Sequence, residues 1–333
     1  MTARRAPRRP RVPAPVLRLG LGLLGRRCLD PALPWPVQRA RLDQLTRTSL
    51  LPRGTTVTEQ VIAGLRAEVI SAPSSPARNS PASNSPARNS PASNSAAPGS
   101  PAQHTVLHLH GGGYCVGSAL TARSWAAHLS AQSGCRVVVP EYRLAPEHPY
   151  PAALEDARAV LAELSGPGGP GSIVVSGDSA GGGLALALLL SLREAGRDLP
   201  AGAILLSPWL DLGRDRRADP DLVRRDVLLT PDWLEACARA YAAPAAWADP
   251  LVSPLQAAHA GLPPLLIQAG TDELLAPDAA LLAASASAAG VDVTYTRWPR
   301  RWHDFVLQPG LLAAADSALA QAAWFLTRAW LAA

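Results

Sequence analysis

The run SIVVSGDSAGGGLALALLLSLREAG, residues 172–196, constrains the fold more than any other part of the chain. Three β-branched apolar residues, Ile173 to Val175, read as a buried strand. The long Leu/Ala-rich run behind them reads as a helix. Only Gly177-Asp178-Ser179-Ala180-Gly181 lies between the two, so strand must become helix in one sharp turn. Such a turn crowds the backbone, and side chains at Gly177 and Gly181 would collide with it. Ser179 is pushed out of the turn, its hydroxyl presented at the N-terminus of the helix.

The rest of the chain after residue 104 repeats that rhythm. TVLHLH, CRVVVPEY, AGAILLSP, PLLIQAG and DVTYTRW read as strands. Helical segments separate them: ARSWAAHLSAQSG, stopped by Gly134; AALEDARAVLAEL; PDWLEACARAYA, with Thr230 as N-cap and Pro231 at its first position; DAALLAASASAAG; and the last 20 residues. Near-continuous apolar strands alternating with helices imply a mostly parallel sheet covered on both faces. Functional groups in such sheets collect at the C-terminal ends of the strands.

Upstream, residues 16–50 carry apolar residues at helical spacing cut by prolines, which gives one or two short helices. TTVTEQVIAGLRAEVI reads as two strands with Gly64 near their turn. The unit SPAxN then occurs four times between residues 75 and 94. With a proline every fifth residue and nothing apolar to bury, it predicts a flexible excursion between two sheet strands, whose removal leaves activity and stability nearly unchanged.

The formal charge of +5 comes from one end. Residues 1–27 hold eight arginines and no acid; the remainder carries 23 arginines against 26 acids, a balance of −3. The folded body is thus slightly acidic, and no nucleic-acid partner is expected. The basic start reads as a frayed, solvated terminus, with contact to an anionic membrane surface as the alternative. Its apolar run VLRLGLGLL is short, interrupted by Arg18 and followed by no small-residue cleavage site, so the expected location is the cytoplasm. Cys28, Cys115, Cys135 and Cys237 are scattered, as free buried thiols are.

A serine hydroxyl needs a base to act as a nucleophile. His259 and His303 are the histidines that follow Ser179. His303 stands on a loop beyond the strand DVTYTRW, within reach of the serine, whereas His259 precedes a strand in a Pro/Ala-rich connection. LLIQAGTDELLAPD offers Asp272, Glu273 and Asp278 as the acid that orients the imidazole. Asp272 lies closest to the strand end and is the expected residue. Asp278 fits the start of the next helix, and Asp304 is expected to point away from its neighbour His303.

The strand TVLHLH ends in HGGGYCVGS, a histidine followed by three bare residues. Neither phosphate-binding glycine pattern fits, and no further ligands accompany His108 and His110, so no metal or cofactor is expected. Stabilisation of an oxyanion remains: the N–H groups of Gly111, Gly112 and Ala180 are placed to surround it.

Together these motifs resemble the hormone-sensitive-lipase-like family of α/β-hydrolases. HGGGYCVGS is similar to its oxyanion motif, with His110 and Gly113 in support; EYRLAPEHPYPAALEDA to the signature after the next strand; and GDSAGG, with Gly177, Asp178 and Gly181, to its nucleophile turn. SPWLDL, DVLLT and DPLVSPL are similar to further family segments. The likeness spans about residues 100–310. Two places depart from it. The family's acid heads a DPL-type motif, here Asp272-Glu273-Leu274, and its histidine precedes Gly-Phe, here His303-Asp304-Phe305.

The resemblance implies an α/β-hydrolase fold, a mostly parallel central sheet with helices on both faces and a helical cap. Residues 1–52 form a disordered Arg-rich start and N-terminal cap helices. Residues 53–207 form the first part of the catalytic core, with a low-complexity loop at 71–103; 208–249 form the cap insert and 250–333 complete the core. Trp35, Trp209, Trp233 and Trp247 fall in the cap segments, and Tyr114 and Trp209 are the expected pocket residues. The implied activity is hydrolysis of small esters with short to medium acyl chains, by Ser179, His303 and Asp272, with no cofactor. Deacetylase or amidase chemistry, or a non-catalytic ligand-binding role on the same scaffold, are the alternatives; the motifs leave the oligomeric state open.

Overall fold

A computed structural model describes residues 11–73, 104–166 and 169–333. The SPAxN repeat lies outside these residues. Eight strands form one sheet: β1 (Thr56–Ile62), β2 (Leu65–Ser71), β3 (Thr105–Leu109), β4 (Arg136–Pro140), β5 (Ile173–Asp178), β6 (Gly202–Leu206), β7 (Leu265–Gly270) and β8 (Val293–Trp298), in the order β1-β2-β4-β3-β5-β6-β7-β8. β1 and β2 form a hairpin turned by Ala63 and Gly64, both with positive φ, which is the handedness a two-residue turn needs to match strand twist. β2 also runs antiparallel to β4; from β4 through β8 all pairs are parallel.

Every residue of β3, β5, β6 and β7 is buried. Side chains alternate between the two faces. Val106, Val174, Ile204 and Leu266 enter one core, shared with Trp125 of α3 (Ala119–Ser133) and with Ala318 and Leu326 of α9 (Ala313–Ala332). Leu107, Val175, Leu205 and Ile267 enter the other, under α4 (Ala152–Ser165), α5 (Ala180–Glu194) and α8 (Ala276–Ala288). Burial on both faces is what made the strand sequences uniformly apolar.

The helix ends follow their local chemistry. Ser118 and Thr121 form a capping box at the start of α3, and Gly134 stops it at φ 75°. Thr230 accepts a hydrogen bond from the Trp233 N–H at the start of α7 (Pro231–Tyr241).

Two segments come together over the C-terminal ends of the strands. α1 (Ala14–Cys28) packs closely on Val227 and Leu228, beside the short α6 (Pro220–Arg225). α2 (Trp35–Thr46) is tied to α7 by Trp233 Nε1, which donates to Gln38 Oε1 at 2.9 Å. Both α1 and α2 contribute to the wall of the cavity described below. Among the described residues, no helix is long and apolar enough to cross a membrane.

Candidate active site

The turn between β5 and α5 holds Ser179 at φ 54° and ψ −121°, a region that side chains other than glycine avoid. The surroundings fix it there. Its N–H donates to Leu206 O at 2.8 Å, and its carbonyl accepts from the N–H groups of Trp209 and Gly182 at 2.9 and 3.0 Å. The glycines are required as expected. A Cβ on Gly177 would lie 2.2 Å from Gly181 O, and one on Gly181 would lie 1.9 Å from Leu109 O.

His303 arrives on the loop after β8. Its Nε2 lies 2.9 Å from Ser179 Oγ, although 124 residues separate the two in sequence. Both side chains are buried at the foot of one cavity. His259, the other candidate, is elsewhere: its ring bridges Pro254 O and Ser285 Oγ, each at 3.0 Å.

The acid differs from expectation. Asp272 does not face His303. Its carboxylate turns toward α1 and α6, accepting from Arg18 at 2.9 Å with Arg225 at 3.9 Å. Glu273, one residue on, is fully buried, with Oε2 3.3 Å from His303 Nδ1. Ser207 donates a 2.8 Å hydrogen bond to that same oxygen and so fixes the carboxylate. Distance from the strand end did not decide the matter. The chain bends directly after β7, and at the bend the side chain that meets the imidazole is that of Glu273. Burial raises the Glu273 carboxyl to about 7, against the opposing pull of His303 and Ser207.

Asp278 is also accounted for. It stands in the first turn of α8, completely buried, where Arg216 donates to both its oxygens and the N–H groups of Leu210 and Asp211 donate to one.

Asp304 departs from expectation too. It adopts φ 55° and ψ 30°, a left-handed conformation that folds its carboxylate back over the ring. Oδ2 lies 3.1 Å from His303 Nε2. Burial disfavours a charged imidazole, yet Asp304 and Glu273 outweigh it and hold His303 well above its ordinary value. Burial in turn raises the Asp304 carboxyl to about 6.

On the third side, β3 runs into His110-Gly111-Gly112-Gly113. A Cβ on Gly111 would lie 2.2 Å from Asp178 Oδ2, and one on Gly112 would lie 2.1 Å from Val116 O. The missing side chains thus let this loop pack against the serine turn. The N–H groups of Gly111, Gly112 and Ala180 have no hydrogen-bond acceptor among the described residues, and both glycines line the cavity with Ser179. Gly113 instead makes room for α7, with Cys237 Sγ 2.6 Å and Trp233 2.9 Å from where its Cβ would be.

The two histidines of this strand are structural. His108 bridges Ser176 Oγ at 2.7 Å and Asp178 Oδ1 at 3.0 Å. His110 stacks on Tyr142, whose hydroxyl donates to the His110 carbonyl, and burial lowers its proton affinity. Among the described residues, no group of three or more His, Cys, Asp or Glu side chains is arranged to hold a metal ion.

Residues 106–307 match the family model for the alpha/beta hydrolase fold. The chain belongs to the α/β-hydrolase family, in its hormone-sensitive-lipase-like group. It is 42% identical over 200 residues to an acetyl-hydrolase of Streptomyces hygroscopicus, covering 60% of this chain and 67% of that one. It is 34% identical to an esterase of Acinetobacter venetianus over 87% of this chain and 88% of that protein. The crystal structure of an esterase from the bacterial hormone-sensitive lipase family superposes with a TM-score of 0.82 at 32% identity, covering 96% of this chain and 99% of that one.

In this α/β-hydrolase the cavity over Ser179 has a volume of about 350 Å³ and mostly aliphatic walls. Leu17, Leu21 and Leu24 of α1 and Leu228 and Leu229 form much of it. The expected pocket residues Tyr114 and Trp209 do not line it. Tyr114 stacks on Tyr241 with ring centroids 3.8 Å apart and lies against Trp209 in the core. Of the four cap tryptophans, only Trp233 reaches the cavity wall. The flat rings went to the packing beneath, and the leucines of α1 took the wall. Its apolar residues were legible as a helix, but nothing local to them says what they cover.

Proposed function

We propose that this protein is a serine carboxylic-ester hydrolase acting on small esters with short to medium acyl chains. The observation that carries the reading is the 2.9 Å approach of His303 Nε2 to a serine hydroxyl held at positive φ at the mouth of a helix. Ser179 attacks the ester carbonyl as its proton passes to His303 Nε2. Negative charge forms on the former carbonyl oxygen. The free N–H groups of Gly111, Gly112 and Ala180 are the donors available to it. Collapse breaks the bond to the alcohol oxygen, which takes the proton back from Nε2. Water then repeats the two steps on the acyl-enzyme, and the acid is released.

Glu273 is the orienting acid in this reading. At 3.3 Å its contact with Nδ1 is longer than a good hydrogen bond, as resting sites often are before substrate closes them. Its carboxylate stabilises the imidazolium formed in each half-reaction. Asp272 holds the roof helix α1 through Arg18 instead. The cavity of about 350 Å³, walled by leucines, suits a short to medium acyl chain. An ester is favoured over a bound, unreacted ligand because a serine hydroxyl, an imidazole and a carboxylate stand in sequence, at 2.9 and 3.3 Å. Four buried free thiols fit a reducing compartment, the cytoplasm.

Turnover of p-nitrophenyl acetate, butyrate, octanoate and laurate by the wild type and by Ser179→Ala tests the reading. Activity that peaks at the shorter chains and vanishes in the variant is the expected result. Turnover retained above a tenth in Ser179→Ala would remove the serine from its role.

A further inference from the structure

Among the polar groups that line the cavity, two stand on the loop that carries His303. Asp304 Oδ1 and Gln308 Oε1 are both buried and have no hydrogen-bond partner, and both residues line the cavity. A buried acceptor without a partner carries a desolvation cost that a ligand group can relieve. The two residues stand four apart on the loop that carries His303, in a cavity wall that is otherwise mostly apolar.

Two observations single out Asp304. Its backbone sits at φ 55° and ψ 30°, a left-handed conformation open to aspartate that lays the carboxylate on His303. The nearby arginines are engaged elsewhere, Arg18 with Asp272 and Arg216 with Asp278. The other charged groups that act on Asp304 are His303, Asp178 and Asp226. Asp178 is held by His108, and Asp226 accepts from the N–H groups of Leu228, Leu229 and Leu274. One oxygen of Asp304 rests on the imidazole; the other has no partner among the described residues.

We propose that Asp304, with Gln308 beside it, is a subsite for a hydroxyl group on the alcohol half of the ester, so that the preferred substrates are partly acylated polyols rather than esters of simple alkanols. The inference rests on the ester-hydrolase reading, and the position follows from its chemistry. The leaving oxygen must take its proton from His303 Nε2, so it passes beside that atom. Asp304 Oδ2 lies 3.1 Å from the same atom. A hydroxyl one or two carbons beyond the leaving oxygen therefore comes within reach of the carboxylate. A hydroxyl suits the pair because Oδ2 already shares its charge with His303, and the neighbouring Gln308 oxygen is neutral. An alcohol half that ends in a methyl group leaves both acceptors unpaired.

The test compares 2-hydroxyethyl butyrate with propyl butyrate, which replaces the hydroxyl by a methyl group. The wild type is expected to favour the hydroxyethyl ester about tenfold or more in kcat/KM, as sites with buried polar groups do. In Asp304→Gly, which suits the positive φ, that ratio should fall to within about threefold of unity. Asp304→Asn, which keeps the shape, should lower it by a smaller factor. The ratio cancels any general loss of folded enzyme. Equal kcat/KM for the two esters in the wild type, or an undiminished preference in either variant, overturns the subsite. If the wild type cleaves neither of these esters nor p-nitrophenyl butyrate, the ester-hydrolase reading itself fails, and the subsite with it.

Discussion

The loop after β5 and the loop after β7 both deliver a functional side chain to one imidazole, and they do so in different ways. At the first, every neighbour is backbone: Gly177, Gly181 and Leu109 pack so closely that a single added carbon collides. Ser179 has one place to go. At the second, Asp272 and Glu273 leave adjacent positions on opposite sides, one toward Arg18 and one toward His303. Backbone crowding encodes a position in the sequence as a pattern of missing side chains. A choice between two carboxylates is made by partners that lie far away in the chain.

The largest test of the first loop is Ser179→Ala. Turnover should drop about ten-thousandfold with the fold intact, by comparison with triad serine hydrolases in general. At the second loop, Glu273→Gln should cost about a thousandfold, while Asp272→Asn stays within about tenfold of wild type. Measured kcat values for the pair decide which carboxylate orients His303, and a dead Asp272→Asn beside an active Glu273→Gln would reverse the assignment. Gly181→Ala sharpens the contrast from the side of stability. Its Cβ would lie 1.9 Å from Leu109 O, so urea unfolding should show a loss of about 3 kcal/mol, the upper range for overpacking.

The smallest effect is a displaced pH profile. His303 must be neutral to accept the serine proton, and Asp304 and Glu273, with Asp226 nearby, hold it protonated above its ordinary range. Activity therefore rises with pH through that elevated value. Asp304→Asn removes one of the two closest negative charges, so the acid limb of kcat/KM should move to lower pH. An unmoved limb would mean that the 3.1 Å contact with Nε2 carries no charge effect.

The sheet was legible in the sequence because burial on both faces leaves uninterrupted apolar strands, and the helix ends because Thr230, Pro231 and Gly134 act locally. Ser179, His303 and the glycine loop were legible for the same reason: each follows from chain order and a turn that only certain residues allow. Glu273 and Asp304 were visible only as two departures from a family pattern, a glutamate in place of proline and an aspartate in place of glycine. Both departures place a carboxylate on the same histidine. Tyr114 and Trp209 illustrate the opposite limit. Their aromatic character signals burial, but which burial, core or cavity wall, depends on how α1 and α2 lie over the sheet. No short stretch of sequence records that.

The span between Ser179 and His303 bears on how the chain becomes an enzyme. The contacting atoms belong to residues 124 positions apart, and the loops that carry them hang from β5 and β8, between which β6 and β7 must first be laid down. Pairings this distant in sequence form slowly. A nascent or partly refolded chain can therefore own the serine, the glycine loop and most of the sheet and still be inert. On the ester-hydrolase reading, activity in a refolding chain should return only once the loop after β8 has brought His303 to Ser179.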